Sequence, residues 1–394
     1  MPPWLRAAAC LLAAATPPAD DPASPPDRIV LLGDALLEGD YALGHIETAL
    51  TAASPDRPLT VRNLGWTGDT VRGDSRAGFE TAKEGFERRA KLVAELKPTH
   101  ILVAYGMNES FAGAAGLAEF EAGLNALLDS IAPTGATITL VAPIAHENLG
   151  PPLPDPNAHN ADLARYRDAI RRVAQARGHA LADLADAGLG SHADDHDPDT
   201  TDGIHLDDSG YRRAAAALVA TLHPDAARGW LVALDARGAA TTPSIGTALS
   251  DPSADDRGLR FRALDARLPI PGIPRTLRVA GLPPGTYALT IDGREVARAP
   301  HAAWAAGLAL DAGPELDQAD ALRRAIVAKN RLLFHRLRPQ NETYLFGFRK
   351  HEQGRNAREI PEFDPLVADR EAEIDRLKRP VPHTYELTRV EDAK

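Results

Sequence analysis

The stretch Asp27-Arg-Ile-Val-Leu-Leu-Gly33-Asp34-Ala35-Leu36 decides the fold. Ile29–Leu32 is an apolar run of strand length that stops abruptly on a Gly-Asp pair, and a segment of helical period follows it. Moving outward, the same alternation repeats. Strands are predicted at Ile29–Leu32, Leu59–Arg62, His100–Ala104, Thr137–Val141 and Ala180–Asp183. Helices are predicted near Leu43–Ala53, Ala77–Leu96, Leu117–Ala132, Ala161–Arg177 and Tyr211–Leu222. Strands joined by crossover helices give an α/β fold, a mainly parallel sheet covered on both faces. Ligands of such sheets gather outside the carboxyl ends of the strands.

Length and composition agree with this layout. The 394 residues exceed one ordinary domain, and 44% hydrophobic with 25% charged residues suits a soluble globular chain. Lys and Arg number 44 against 55 Asp and Glu, a formal charge of -11. That balance argues against a general nucleic-acid or anionic-membrane binder, so any anion recognition is local. After the first twenty residues no apolar run is long enough to span a bilayer.

The amino terminus has the makings of an export signal over residues 1–20. Arg6 supplies a positive charge, Ala7 to Ala15 a short apolar stretch, and Ala13-Ala14-Ala15 an A-x-A site. A periplasmic or secreted location is expected; an Ala-rich start of a cytoplasmic protein is the alternative. The single cysteine, Cys10, lies in this segment, so cleavage would leave a chain without disulfides, Cys-based metal sites or Cys nucleophiles.

Four segments fall on the predicted rim. They are Gly33-Asp34-Ala35-Leu36, Asn63-Leu64-Gly65-Trp66-Thr67-Gly68-Asp69, Tyr105-Gly106-Met107-Asn108-Glu109 and Asp202-Gly203-Ile204-His205-Leu206. In order and placement they resemble the SGNH, or GDSL-type, hydrolase superfamily, which implies a flavodoxin-like three-layer fold for residues 27–224. The resemblance implies that Gly65 supplies an oxyanion N–H and Asn108 a side-chain donor. It also makes His205 the general base and Asp202 the carboxylate that fixes its tautomer. Asp34, Trp66 and Glu109 flank these positions and are the substrate-binding candidates. His146-Glu147-Asn148, the proline-rich 151–156 segment, Lys329-Asn330 and Arg338–Tyr344 look like the extended, exported bacterial form of the superfamily.

One block departs from the pattern. The family's serine position holds Ala35, which has no lone pair to attack a carbonyl, so the Ser-His-Asp route is broken as written. The Ala35 backbone N–H survives and can still serve an oxyanion hole. Gly73-Asp74-Ser75 spells the expected tripeptide in the wrong place, where Ser75 suits a helix cap; Ser110 suits a helix or turn cap as well.

Beyond Pro224 the pattern changes to short alternating runs broken by Gly and Pro, predicting a small β-sandwich-like domain over 228–312. Its strands are expected at Leu259–Ala263, Thr276–Val279, Tyr287–Ile291 and Glu295–Ala297, with Asp292-Gly293 as a hairpin turn. Glycan contact and simple packing are both open for this domain, with Trp304 and Tyr287 as its nearby aromatics. Residues 314–394 are expected to be a helical extension packed on the first domain. Leu322, Ile326, Leu333 and Leu337 form its apolar stripe, and Arg349 and His351 are candidates for the rim. His192, Asp194, Asp195, His196, Asp197 and Asp199 form an acidic loop that matches no EF-hand spacing, so no metal and no cofactor is expected.

The expected function is a carboxylic-ester hydrolase scaffold acting on O-acetylated carbohydrate or a similar small ester, with a glycan or small ester as partner. The rival expectations are a pseudo-esterase that binds an acyl or glycan ligand without cleaving it, and a structural exported protein.

Overall fold

The computed structural model describes residues 26–76, 81–191, 197–255, 258–352 and 356–390. The expected export signal, with Cys10, and His192 to His196 of the acidic loop lie outside them. Five strands, β1 (Asp27–Gly33), β2 (Leu59–Asn63), β3 (His100–Ala104), β4 (Thr137–Ala142) and β5 (Ala180–Asp183), form one sheet in the order β2-β1-β3-β4-β5. Every neighbouring pair is parallel. Successive connections from β1 run to opposite sides, to β2 and then to β3, so the sheet reverses its winding between β1 and β3. A doubly wound sheet opens a crevice at that place.

The unbroken apolar runs are explained by burial on both faces. Ile29 and Leu31 of β1 point into a core shared with α1 (Ala35–Leu43), α2 (His45–Ala53) and α7 (Asp208–Leu222). Val30 and Leu32 point the other way, into a core shared with α3 (Ala82–Glu95), α5 (Gly113–Ile131) and α6 (Asn157–Arg177). Leu31 and Leu32 are both wholly buried, so truncating either to Ala costs about 2–5 kcal/mol.

All five predicted strands are found where expected. Among the helices, α1 is an addition: the sequence places one helix near Leu43–Ala53, whereas the chain forms two that meet at Gly44, in the left-handed region with φ 71°. The short apolar content of Ala35–Leu43, interrupted by Gly39 and Asp40, hides α1 from a periodicity argument.

A β-rich part follows. β6 (Trp230–Asp235), β7 (Thr247–Asp255), β8 (Gly258–Asp265), β9 (Arg275–Ala280), β10 (Thr286–Ile291) and β11 (Arg294–Pro300) are joined by α8 (His301–Ala306) and β12 (Leu308–Ala309). With β13 (His383–Val390) they build a five-stranded sheet, β11-β10-β13-β8-β7, and a three-stranded sheet, β12-β9-β6. Trp230, Phe261, Trp304, Leu289 and Tyr385 pack in a core common to both sheets. Trp304 and Tyr287, the aromatics nearest to a glycan platform in the sequence, are both buried in that core.

The central strand of the larger sheet comes from the far end of the chain. β13 (His383–Val390) pairs antiparallel with β8 on one side and β10 on the other. The segment after Pro314 is therefore not helical to its end. Its helices, α9 (Pro314–Leu337), α10 (Glu342–Leu345) and α11 (Phe363–Leu377), precede that strand. α9 lies against α1, α2 and α11, and its Leu322 and Ile326 join the core of the first sheet with Ile46 and Leu50. Lys329, on the same helix, is buried and paired with Glu47 of α2 at 2.5 Å.

Candidate active site

The crevice between β1 and β3 holds a pocket lined by Asp34, Ala35, Asn108, Ile144, Ile204 and His205, among others. Gly33 makes this end of the sheet possible. A Cβ on it would lie 2.4 Å from the Ala104 carbonyl oxygen, so any side chain would push β1 and β3 apart.

Asp34 caps α1, its Oδ1 accepting the Leu36 N–H at 3.1 Å. Ala35 is the first helical residue, and its N–H belongs to the group that a helix leaves without an internal acceptor. Among the described residues no acceptor takes it. Asp34 is 3% exposed. Burial, with the nearby carboxylates of Glu109 and Asp69 adding to it, pushes its carboxyl up to about 7 against the Leu36 hydrogen bond.

Opposite, β3 runs through Tyr105 and Gly106 into α4 (Met107–Ser110). One Asn108 Nδ2 hydrogen donates to the Asp69 carbonyl at 2.8 Å, which leaves the second amide hydrogen for the pocket. Asp69 itself is fully buried, accepting from Arg76 Nε at 2.5 Å and Tyr105 OH at 2.8 Å, with Arg89 Nη1 at 3.6 Å. This cluster locks the segment after β2 to the end of β3.

Asp202 and His205 close the site. Asp202 Oδ2 lies 2.7 Å from His205 Nδ1, and Asp202 Oδ1 accepts the N–H groups of His205 at 2.9 Å and Ile204 at 3.1 Å. An ionised carboxylate only accepts, so Nδ1 carries the proton and Nε2 is left as the base. Burial opposes ionisation of Asp202, but the His205 ring and the two backbone donors hold its carboxyl below the ordinary value.

The loop carrying this pair is fastened from beneath by Glu147. Its carboxylate accepts from the Asp199 N–H at 3.1 Å, the Thr200 N–H at 2.9 Å and the Thr200 hydroxyl at 2.6 Å, while its own N–H donates to the Gly203 carbonyl at 2.8 Å. The sequence names Glu147 but gives it no role. The signal that could have found one is an acidic residue after β4, level with the loop before the last helix.

Other residues singled out from the sequence lie differently. The Gly65 N–H is taken by Asn63 Oδ1 at 2.8 Å, and Gly65 does not line the pocket. Three residues on, exposed Gly68 has φ 75°, and its N–H has no acceptor among the described residues. The Trp66 ring stacks under Arg338 at 3.8 Å. Glu109 spends both carboxylate oxygens on backbone amides, of Val71 at 2.8 Å and Gly106 at 3.0 Å. Ser75 sits in a 3₁₀ turn, Asp74–Arg76, away from the pocket lining. Ser110 is buried, its hydroxyl donating to the Met107 carbonyl at 2.6 Å with His159 Nε2 at 2.8 Å. Arg349 pairs with Glu352 and lies over the Tyr344 ring at 4.6 Å instead of reaching the rim. Asp199 is buried against Arg213, and no group of three or more metal-ligating side chains occurs among the described residues.

Residues 31–213 match the model of the GDSL-like lipase/acylhydrolase family, a span from within β1 to within α7. The match supports that superfamily for the sheet domain. A gut microbial diltiazem-metabolizing enzyme has a similar structure over 93% of this chain and 98% of its own, at 16% identity and a TM-score of 0.68. An acetylxylan esterase from Geobacillus stearothermophilus is similar over 50% of this chain and 94% of its own, at 19% identity and a TM-score of 0.40. The first likeness extends the shared fold through the β-rich part and the C-terminal helices. No curated protein matches the chain.

Proposed function

We propose that the pocket binds the acyl end of a small carboxylic ester, an O-acetylated carbohydrate being the leading class, and hydrolyses it with a water that His205 activates. The observation that carries this reading is the Asp202–His205 pair, kept at 2.7 Å beside a pocket whose wall includes the unengaged Ala35 N–H. A superfamily site that had lost its chemistry altogether has no need of a base held in one tautomer.

The step balances without a serine. His205 Nε2 takes a proton from water as its oxygen bonds to the acyl carbon. The carbonyl oxygen gathers charge against the Ala35 N–H and the free Asn108 amide hydrogen. Collapse breaks the ester bond, and His205 returns its proton to the leaving alcohol. Asp202 stabilises the transient imidazolium. The pocket, about 30 Å³, exceeds the ~10–15 Å³ that one water needs, so the attacking water fits within it. Direct attack by water forgoes an activated nucleophile, so turnover is slow; serine proteases stripped of one triad member retain ~10³–10⁴-fold over water.

Ala35 itself favours a second reading, a pseudo-esterase that holds the acyl ligand without cleaving it. Initial rates on p-nitrophenyl acetate and an acetylated oligosaccharide separate the two. Slow turnover that His205→Ala removes, with Ala35→Ser raising it by about 10²–10⁴, is the expected result. A silent native protein with an active Ala35→Ser variant favours the binder. Silence in both overturns the acyl-site reading.

A further inference from the structure

We propose that Asp34 is a second proton-bearing group of this pocket, one that donates its Oδ2–H to the acyl oxygen of the ligand, so that the ligand is taken while the carboxyl is neutral. The proposal rests on the acyl-pocket reading and adds to it the group that fixes the charge state of the site.

The two oxygens of Asp34 are not equivalent. Oδ1 accepts the Leu36 N–H and caps the helix. Oδ2 has no partner among the described residues, and the side chain, 3% exposed, lies in the pocket lining beside Ala35 and Asn108. A desolvated carboxylate there would face a carbonyl oxygen, two acceptors with no proton between them. A neutral carboxyl replaces that repulsion with a hydrogen bond, and a protonated acid in an oxyanion site is a workable donor in a low-dielectric pocket.

The surroundings keep the proton on. From the segment after β2 comes Asp69, and from α4 comes Glu109, both carboxylates. The cations nearest to them are already engaged, Arg76 with Asp69 and Arg89 with Asp69 and Tyr105. Glu38 lies further along α1, paired with Arg338; Tyr211 from α7 donates to the Leu36 carbonyl; and His205 faces the pocket from the loop before α7. No described cation pairs with Asp34. Its carboxyl is accordingly pushed up to about 7, burial being the main cause, so the donor form is populated at neutral pH and lost above it.

The test uses N-acetylglucosamine, an uncharged, non-ester acetyl probe, with binding followed through the Ala35 amide resonance. Affinity of the native protein should fall about tenfold between pH 6 and pH 8, as the neutral fraction of a group titrating near 7 does. Asp34→Asn keeps the cap and a permanent neutral donor, so its affinity should stay level across that range. A level native profile, or a slope that survives in Asp34→Asn, overturns the role of Asp34 while leaving the acyl pocket standing. Absence of binding by the native protein at every pH overturns the pocket reading and this proposal together. Independently of any variant, the Ala35 amide of the ligand-free native protein should titrate with a midpoint near 7, and a midpoint near 4 overturns the assignment.

Discussion

Two aspartates flank one pocket, and their surroundings push their carboxyls in opposite directions. Asp34 sits at the buried end of β1 with one backbone donor and two carboxylates for company, and its proton is hard to remove. Asp202 sits on a half-open loop with an imidazole and two backbone donors on its oxygens, and its proton is hard to add. The residue type is the same; solvent access and the count of donors decide which is acid and which is carboxylate. A site can thus hold a donor and a base-orienting anion side by side by fastening one to a sheet and the other to a loop.

The hardest way to break the contrast is to unfasten the loop. Glu147→Ala leaves the Asp199 and Thr200 N–H groups and the Thr200 hydroxyl without their acceptor, each loss worth about 1–3 kcal/mol. Chemical denaturation should show a total near 3 kcal/mol or more, and His205-dependent turnover should vanish with it.

Asp202→Asn attacks the same side more gently. The amide still reaches His205 but no longer fixes the Nδ1–H tautomer, so the native rate should drop by up to about 10⁴-fold at constant pH with little change in melting temperature. Unchanged turnover would show that the pair is structural.

On the other side, pH does the work of a mutation. The folded-state carboxyl of Asp34, and likewise that of Asp40, is raised to about 7 from near 4, so the native state holds more protons than the unfolded chain between those values. Stability should therefore fall as pH rises from about 4 to 7, and Asp34→Asn should flatten its share of the slope in a melting-temperature series. Asp202 acts with the opposite sign: its folded value is depressed, so its contribution is present above the ordinary carboxylate range and fades on acidification through the lowered value.

The smallest effect is expected at a distance. Arg338→Ala removes an ion pair with Glu38 and a stacking contact on Trp66, each partly solvated, for a loss of about 1 kcal/mol measurable by denaturation. A rate change larger than the stability change would mean that Arg338 also sets the loop from Gly65 to Gly68.

Strands β1 to β5 were legible because a sheet buried on both faces writes itself as unbroken apolar runs such as Ile29–Leu32. Asp202 and His205 were legible because three residues of separation let one carboxylate cap the turn and hold the ring. What escaped is what depends on neighbours remote in the chain. Nothing near Glu109 reveals that Val71, 38 residues earlier, takes one of its carboxylate oxygens, whereas the local turn in which Asn63 takes the Gly65 N–H was within reach of the sequence and was passed over. Lys329 carries a charge at a helical position that composition assigns to solvent, yet Glu47, 282 residues earlier, makes its burial tolerable. β13 escaped for the same reason: an alternating Thr384, Glu386, Thr388 face is ordinary in a strand, but its partners lie more than 90 residues upstream.

That last strand carries a consequence for how the protein comes into being. β8 and β10 are synthesised with a vacant lane between them, and the residues that fill it follow only after α8 to α11 have been made. Until then both strands present unsatisfied edges to any passing neighbour. A chain lacking β13 would have its first sheet complete and its second unzipped down the middle, a ready substrate for quality-control proteases.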